Sequence, residues 1–234
     1  RPFIFSKIPA LTGKVFTEYG TTNFQSLASI LKEQGYHTLV ISAYDKPYFD
    51  NTKPFLMSHG FNDYRYPKID RNQRYSNWAP QSDRDFFKYV IDEYKKENSR
   101  IDKPIFLLIT TIANHIPFDV PKSVQKLIPA EHNPVSYYYN SVHETDSGLQ
   151  FFVNTLTDQR YFDSNMIIVT GDHAMPRGQH GIFHPEIGYY EESFRVPFFL
   201  YWPSQLAPQQ IGGAHSQLDI VPTIVDLLNL PIDK

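Results

Sequence analysis

Three polar residues with the means to do chemistry lie in one short stretch: Asp172, His173 and His180. They follow an apolar run at 166–169, which has the composition of a buried strand. Aspartate supplies a hard oxygen ligand and histidine a nitrogen ligand, a pair that suits Zn²⁺ or Mn²⁺. The stretch therefore indicates a metal site, although an aspartate that caps a helix and a hydrogen-bonded histidine would read the same.

A fourth candidate, His115, follows another strongly apolar run at 105–112, which is typical of a central strand in a parallel sheet. A single histidine in such a place is more often structural than chemical. Two polar loops after two buried strands, however, indicate a crevice at one edge of an open α/β sheet. We therefore expect His115 and the stretch around Asp172 to converge in one cleft.

Four predicted helices alternate with four predicted strands along the chain. The helices are expected at 24–34, 83–98, 136–157 and from 218 onward, and the strands at 38–42, 105–112, 166–169 and 195–202. Residues 1–22 and 43–83 are expected to be mostly irregular. The alternation predicts an α/β fold with a doubly wound, mostly parallel sheet and helices on both faces, in a single domain over residues 1–234.

Local signals refine these elements. Asn23 and Asp219 are predicted helix N-caps, and Gly148 is expected to weaken the third helix locally. Pro197 indicates either that the last strand lies at an edge of the sheet or that the strand starts at this proline.

Composition excludes several classes of site. The chain contains no cysteine, so a metal could be held only by histidines and carboxylates. A formal net charge of −3 gives no electrostatic reason to expect a nucleic-acid partner. The apolar run at 105–109 is far shorter than the roughly 20 residues that span a bilayer.

Several ordered motifs resemble those of the alkaline phosphatase/sulfatase superfamily. The later ones are TGDHAMPRGQHGIF, FRVPFFLYWP and HSQLDIVPTIVDLL, and the earlier ones are NFQSLASILKEQGYHT, YFDNTKPFLMSHGFNDY and ANHIPF. Taken together they are most similar to the lipoteichoic-acid-synthase-like branch of membrane sulfatases and phosphoglycerol transferases. The resemblance extends over about residues 23–230.

The resemblance implies roles for the candidate residues. Asp172 and His173 match the metal-binding Asp-His pair of the family, which implies a divalent metal such as Mn, Mg, Zn or Ca. His115 matches the histidine that touches the phosphate or sulfate of the substrate, and His180 resembles a basic active-site position. Of the other histidines, His184 lies nearest to this loop, and the rest are expected at the surface or in packing.

The sequence also departs from the family pattern. We find no counterpart of the first metal carboxylate or of the Thr, Ser or formylglycine nucleophile, which the family carries on its first strand and helix. No buried strand bearing an acid precedes the early threonines, and none is assigned as nucleophile: Thr12, Thr17, Thr21 and Thr22. We therefore expect the C-terminal part of a larger catalytic domain, without that first strand and nucleophile region.

A second departure concerns the substrate. Lipoteichoic acid synthases carry a His, Trp and Arg set for glycerol phosphate after the second strand, where this chain offers Ser42, Phe49 and Asn51. This difference favours the less defined sulfatase-like members over a specific glycerol-phosphate site.

The function implied is part of an extracytoplasmic, metal-dependent enzyme that acts on sulfate or phosphate esters, either a sulfatase or a phosphoglycerol or phosphoethanolamine transferase. Its substrate would be a lipid head group or an envelope polymer, and segments upstream would anchor it in a bacterial membrane. By itself the chain is expected to fold, bind metal weakly and be essentially inactive. Two alternatives stay open: a catalytically inactive binding or regulatory domain, and another metallohydrolase with its whole site in this chain.

Overall fold

The computed structural model describes residues 4–7, 15–20, 22, 24–76, 78–124, 126–129, 133–183 and 190–231. The chain divides into two compact units, the first Arg1–Phe152 with His215–Lys234 and the second Val153–Ala214. This division does not test the predicted single domain. The predicted cap Asn23 lies outside the described residues, as do His184, Thr12 and Thr21.

A three-stranded parallel sheet forms the centre of the first unit. The strands are β1 (His37–Ser42), β2 (Asp63–Arg65) and β3 (Ile105–Thr110), in the order β2-β1-β3. Leu39 of β1 pairs with Asp63 on one side and Leu107 on the other. From Thr38 onward β1 is buried, as its near-continuous apolar sequence requires of a central strand. The predicted parallel α/β arrangement is confirmed.

The α-helices among the described residues are α1 (Val15–Glu18), α2 (Leu27–Glu33), α3 (Thr52–Ser58), α4 (Asp83–Arg100), α5 (Pro134–Asp158) and α6 (Ile220–Leu227). The predictions of α4 and α5 are accurate to within about two residues at each end. The segment 43–83 is mostly irregular, as predicted, but it also contains α3 and β2, which were not predicted. A cluster of the buried core includes Val40 of β1, Phe55 and Leu56 of α3, and Phe61.

Helix α2 begins later than predicted because Ser26 caps it. The Ser26 hydroxyl accepts a hydrogen bond from the Ser29 amide at 3.0 Å, and the Ser29 hydroxyl accepts one from the Ser26 amide at 2.9 Å. This reciprocal capping box satisfies two amide groups at the helix start. Ser26 is itself buried, and its hydroxyl also donates to the carbonyl of His59 at 2.5 Å.

Helices α4 and α5 meet at Gly148. A Cβ atom on Gly148 would lie 2.9 Å from the backbone nitrogen of Arg84, so the glycine lets the start of α4 approach α5 closely. At the same junction the Glu144 carboxylate accepts a hydrogen bond from the Asp83 amide at 2.9 Å, and the Thr145 hydroxyl donates to Asp83 at 2.6 Å. The glycine that weakens α5 by propensity thus serves its packing.

The second unit contains an antiparallel pair of strands, β4 (Ile167–Thr170) and β5 (Phe198–Tyr201). Ile167 pairs with Tyr201, and Thr170 with Phe198. Strand β5 begins directly after Pro197, which confirms the proline as a signal for a strand start. Among the helices that the structure describes, none is long and apolar enough to cross a membrane.

Candidate active-site residues

The candidate residues follow strand ends, but they belong to different units. Asp172, His173 and His180 come after β4 in the second unit, and His115 comes after β3 in the first. The predicted convergence of all four in one cleft stays a prediction.

Asp172 and His173 form an exposed pair of ligand atoms just past β4. The Nδ1 atom of His173 lies 2.9 Å from the carbonyl oxygen of Ala174, and the His173 amide donates to Oδ1 of Asp172 at 3.0 Å. The side chains are 63% and 53% exposed for His173 and Asp172 respectively, so both are accessible from solvent. Because a carbonyl can only accept, Nδ1 carries the hydrogen, and in the neutral ring the lone pair is on Nε2.

His180 occupies a tight turn whose backbone is unusual. Its φ is 52°, a left-handed value that is rare for a non-glycine residue, and it lies between Gly178 and Gly181 with φ of 94° and 72°. A Cβ atom on Gly178 would lie 2.6 Å from the ring of Phe183, so the turn closes against that ring. Backbone strain of this kind concentrates at functional sites.

Two partners fix the His180 ring. It stacks on Tyr190 with a centroid separation of 3.9 Å and an interplanar angle of 6°. Its Nδ1 donates to Oε1 of Glu192 at 2.8 Å. This hydrogen bond from His180 is the main cause that holds the pKa of Glu192 below its ordinary value. The pair presents Nε2 of His180 in a fixed direction.

Glu192 is a functional candidate that the sequence did not indicate. It lies in a 3₁₀ turn, Glu191–Ser193, and stands beside a second acid, Glu191. Nothing in the spacing distinguishes the two acids. Glu192 differs from Glu191 only in the folded protein, where the chain brings its carboxylate within hydrogen-bond distance of His180.

His115 rests on an aromatic group of the first unit. Its ring stacks on Trp78 with a centroid separation of 4.1 Å and an angle of 19°, and Trp78 in turn contacts Tyr44 at 5.5 Å and Phe49 at 5.8 Å. Nδ1 of His115 lies 2.6 Å from the carbonyl oxygen of Ile116. The sequence indicated an aromatic-rich loop here, but not that Trp78 supports the histidine.

Two of the three residues that we expect in place of the glycerol-phosphate set make hydrogen bonds within the first unit. The Ser42 hydroxyl accepts a hydrogen bond from the Tyr44 amide at 3.2 Å, and the Asn51 amide group donates to the carbonyl of Phe16 at 2.7 Å. Phe49 instead contributes to the aromatic group beside His115.

One feature unites the three candidate histidines: each Nδ1 faces an oxygen acceptor. The acceptors are backbone carbonyls for His115 and His173 and a carboxylate for His180. This pairing selects the tautomer that leaves Nε2 for a ligand, and it is the pairing found in metal-site histidines. Within the described ranges no group of three or more His, Cys, Asp or Glu side chains is arranged to hold a metal ion.

Comparison with known proteins identifies the family. The sulfatase family model matches residues 1–230. The chain belongs to the sulfatase family. This result confirms the membership expected from the ordered motifs.

Individual relatives include members of the lipoteichoic-acid-synthase-like branch. The chain is similar to the lipoteichoic acid synthase-like protein YvgJ of Bacillus subtilis, with 24% identity over 241 residues, covering 96% of this chain and 38% of that protein. The crystal structure of the lipoteichoic acid synthase LtaP from Listeria monocytogenes matches with a TM-score of 0.85 and 22% identity, covering 98% of this chain and 58% of that one. An alkaline phosphatase superfamily protein from Vibrio parahaemolyticus matches with a TM-score of 0.78 and 25% identity, covering 97% and 53%.

These matches confirm the α/β fold of the alkaline phosphatase type. The chain spans 38% of the length of YvgJ and little more than half of each matched structure.

Proposed function

We propose that this sulfatase-family chain forms part of a metal-dependent enzyme that acts on sulfate or phosphate esters. The observation that carries the proposal is the shared state of the three histidines, each with Nδ1 engaged by an oxygen and Nε2 left for a ligand. A histidine that serves only packing does not need a ring nitrogen left for a ligand: Nδ1 of the buried His59 lies 2.6 Å from the carbonyl oxygen of Phe55, and its Nε2 is engaged as well, 2.9 Å from the carbonyl oxygen of Thr22. Ester chemistry at a metal does need one, because both metal ligands and proton donors act through one defined ring nitrogen.

Asp172 and His173 are the proposed metal ligands. Their donor atoms, a carboxylate oxygen and an imidazole nitrogen, fit Zn²⁺ or Mn²⁺ and also the harder Mg²⁺ on the carboxylate side. A divalent cation held there would neutralise negative charge on the ester oxygens. The His173–Ala174 contact keeps the ring in the tautomer that presents Nε2.

His180 and His115 are proposed to act on the ester itself. Glu192 holds His180 so that Nε2 can donate a hydrogen bond to a non-bridging oxygen or a proton to the leaving alcohol. For His115, the stack on Trp78 restricts rotation of the ring, and the family resemblance supports contact with the phosphate or sulfate. The attacking hydroxyl is not assigned to any residue of this chain.

The setting is proposed from the relatives. Similarity to YvgJ and LtaP supports an extracytoplasmic enzyme of a bacterial membrane protein, with a lipid head group or an envelope polymer as substrate. Because Ser42, Phe49 and Asn51 stand where the synthases carry their glycerol-phosphate set, the proposal extends to sulfate esters and to phosphoglycerol or phosphoethanolamine transfer.

The decisive assay measures hydrolysis of aryl phosphate, aryl sulfate and aryl phosphodiester substrates with Mn²⁺, Mg²⁺ or Zn²⁺ added. It is run on the chain and on any longer protein that contains it. Turnover in an active protein should disappear in Asp172→Ala and persist in Asp163→Ala, a matched change at an exposed aspartate that pairs with Arg160 at 2.9 Å. Turnover that survives Asp172→Ala would reject the metal assignment. Inactivity of every protein that contains these residues would favour a non-catalytic binding domain.

A further inference from the structure

The first unit contains a cavity of about 590 Å³ beside the junction of α4 and α5. This volume lies within the range of pockets that hold small organic ligands. Its wall combines apolar and polar side chains, among them Ile69, Tyr75, Pro80, Gln81, Val124 and Glu144. None of the proposed ester-site residues lines it.

Three residues of the wall carry buried polar atoms without a partner. Within the described part of the chain, Oε2 of Glu144, the Tyr75 hydroxyl and Nε2 of Gln81 make no hydrogen bond. The other carboxylate oxygen of Glu144 caps α4 by accepting from the Asp83 amide at 2.9 Å, so the side chain is held in place. An unpaired buried polar group costs about 1–3 kcal/mol, which a ligand that supplies the partner would relieve.

The charges around the cavity select the sign of such a ligand. The acids Glu144 and Asp85 line the wall, and Asp83 lies directly behind Glu144. Asp85 is already paired, because Lys88 donates to it at 2.7 Å. Oε2 of Glu144 is therefore the acidic oxygen of the wall that is left for a ligand. Arg84 also lines the wall, but its guanidinium lies over the Phe151 ring at 4.6 Å from the centroid. An anion such as a phosphate or sulfate ester would be repelled by the unpaired oxygen of Glu144, whereas a cation would be attracted to it.

Burial and the neighbouring charge of Asp83 raise the pKa of Glu144 to about 7. Backbone hydrogen bonds from Asp83 and Arg84 lower this pKa, but they do not offset the effect of burial. This agrees with the geometry, in which one carboxylate oxygen is bonded and the other is not.

The kind of cation follows from the number of ligands. The described residues offer no group of three or more His, Cys, Asp or Glu side chains for a metal ion. An ammonium group needs only hydrogen-bond acceptors, and the apolar side chains Ile69, Pro80 and Val124 suit the carbon chain attached to it. We propose that this cavity binds a small organic ammonium ion, which donates hydrogen bonds to Oε2 of Glu144 and to the Tyr75 hydroxyl oxygen.

Gln81 fits the same ligand. The oxygen and nitrogen of an amide are assigned from the surrounding hydrogen bonds, and a rotated Gln81 side chain would present its oxygen as a third acceptor. A primary ammonium has three N–H donors, which matches three acceptors.

The test uses ethanolammonium and 1,4-butanediammonium as probes, with ethylene glycol and 1,4-butanediol as neutral counterparts of similar size. Ligand-observed NMR or calorimetry on the purified protein should show millimolar or tighter binding of the ammonium ions and at least tenfold weaker binding of the diols. Binding should strengthen from about pH 6 to about pH 8, because Glu144 loses its proton in this interval while alkylammonium ions remain charged.

Variants locate the site. Glu144→Gln keeps an oxygen for the Asp83 amide but removes the charge, and it should weaken ammonium binding at least tenfold. Asp146→Asn is the matched control, because Asp146 is an exposed acid on the same helix and does not line the cavity. Tyr75→Phe removes an unpaired hydroxyl, so it should weaken binding severalfold without loss of stability. It also serves as the deciding variant if Glu144→Gln does not fold.

Four results would overturn the proposal: no binding of either ammonium ion, equal binding of the diols, unchanged binding in both Glu144→Gln and Tyr75→Phe, or displacement of the ammonium ions by millimolar Ca²⁺ or Mg²⁺. The last result would show that the cavity is a metal site.

Discussion

Nδ1 of His180 lies 2.8 Å from Oε1 of Glu192, and the two residues are separated by 12 positions in the sequence. The glutamate side chain is 15% exposed and the histidine 55%, so the pair has a sheltered acid and an accessible base. This arrangement fixes which ring nitrogen of His180 faces solvent.

Replacement of Glu192 should therefore remove the hydrogen bond that orients the His180 ring, while the ring itself stays in the protein. In an active protein we expect Glu192→Ala to lower turnover by about 10- to 100-fold, because His180 would act on the ester in one ring orientation; the same range applies to the partner that orients a metal-bound histidine. Imidazole ¹⁵N NMR should show His180 change from a single Nδ1–H tautomer to a mixture.

Glu191→Ala is the control for this pair, because the neighbouring acid is exposed and lies 4.0 Å from Arg195 instead. It should leave both turnover and the tautomer unchanged. An unaltered ¹⁵N spectrum in Glu192→Ala would refute the orienting role of Glu192.

Metal binding by this chain should be weak and should depend on the Asp172 and His173 pair. Two ligands make an incomplete site, since a catalytic zinc site has three protein ligands. Calorimetry with Mn²⁺ and Zn²⁺ should show binding only at high metal concentration, and either Asp172→Ala or His173→Ala should remove it. Asp163→Ala should bind as the unaltered protein does. Tight stoichiometric binding would show that further residues complete the site.

The sequence predicted those parts of the fold whose signal is local. Strands β1, β3 and β4 were predicted from apolar composition, and α4 and α5 from apolar positions at helical spacing. Asp219 was predicted as a helix cap, and it does occupy the N-cap position of α6, but its side chain makes no capping hydrogen bond there. Its carboxylate instead accepts from the Ser216 amide at 2.7 Å, in a capping box in which Ser216 caps the 3₁₀ turn Gln217–Asp219.

The parts that were not predicted depend on distant partners. Strand β2 has the sequence Asp-Tyr-Arg and therefore lacks the apolar run that indicates a strand. Its Arg65 donates hydrogen bonds to Asp63 at 2.8 Å and to Glu93 of α4 at 3.0 Å. Trp78 gains its role only where the chain brings it against His115. No spacing rule within one sequence reports such a contact.

The buried acids Asp83 and Glu144 should make the protein less stable as the pH rises from about 4 to about 7. Burial is the main cause that raises their pKa values, to about 6 for Asp83 and about 7 for Glu144. Over this interval the folded state holds more protons than the unfolded state, so its stability falls with rising pH. Each pKa is raised by about two units, and each unit corresponds to about 1.4 kcal/mol, so the loss should be on the order of 5 kcal/mol.

Other groups titrate in the same range, so the effect is best measured as a difference between variants. Burial lowers the pKa of His37, which gives a contribution of opposite sign up to about pH 6.5. Glu144→Gln should show a smaller loss between about pH 4 and about pH 7 in denaturant unfolding, and should be the more stable protein above about pH 7. Asp146→Asn should parallel the unaltered protein. A parallel curve for Glu144→Gln would contradict the assignment.

Two glycines with positive φ should differ sharply in their tolerance of a side chain. Gly60 has a φ of 103°, and a Cβ atom there would lie 2.4 Å from the backbone nitrogen of Ser29 in α2. Gly35 has a φ of 86°, and among the described residues no atom lies within 4 Å of its Cβ position. Gly35→Ala should therefore cost only the left-handed backbone conformation, about 1 kcal/mol.

Gly60→Ala should cost about 3 kcal/mol or more, because the clash involves backbone that the Ser26 capping box holds in place. Urea unfolding of the two variants measures the difference, with equal m-values as the check that the denatured state is unchanged. Comparable losses in both variants would show that α2 shifts to admit the new methyl group, and that the contact between α2 and the Gly60 turn is looser than the structure indicates.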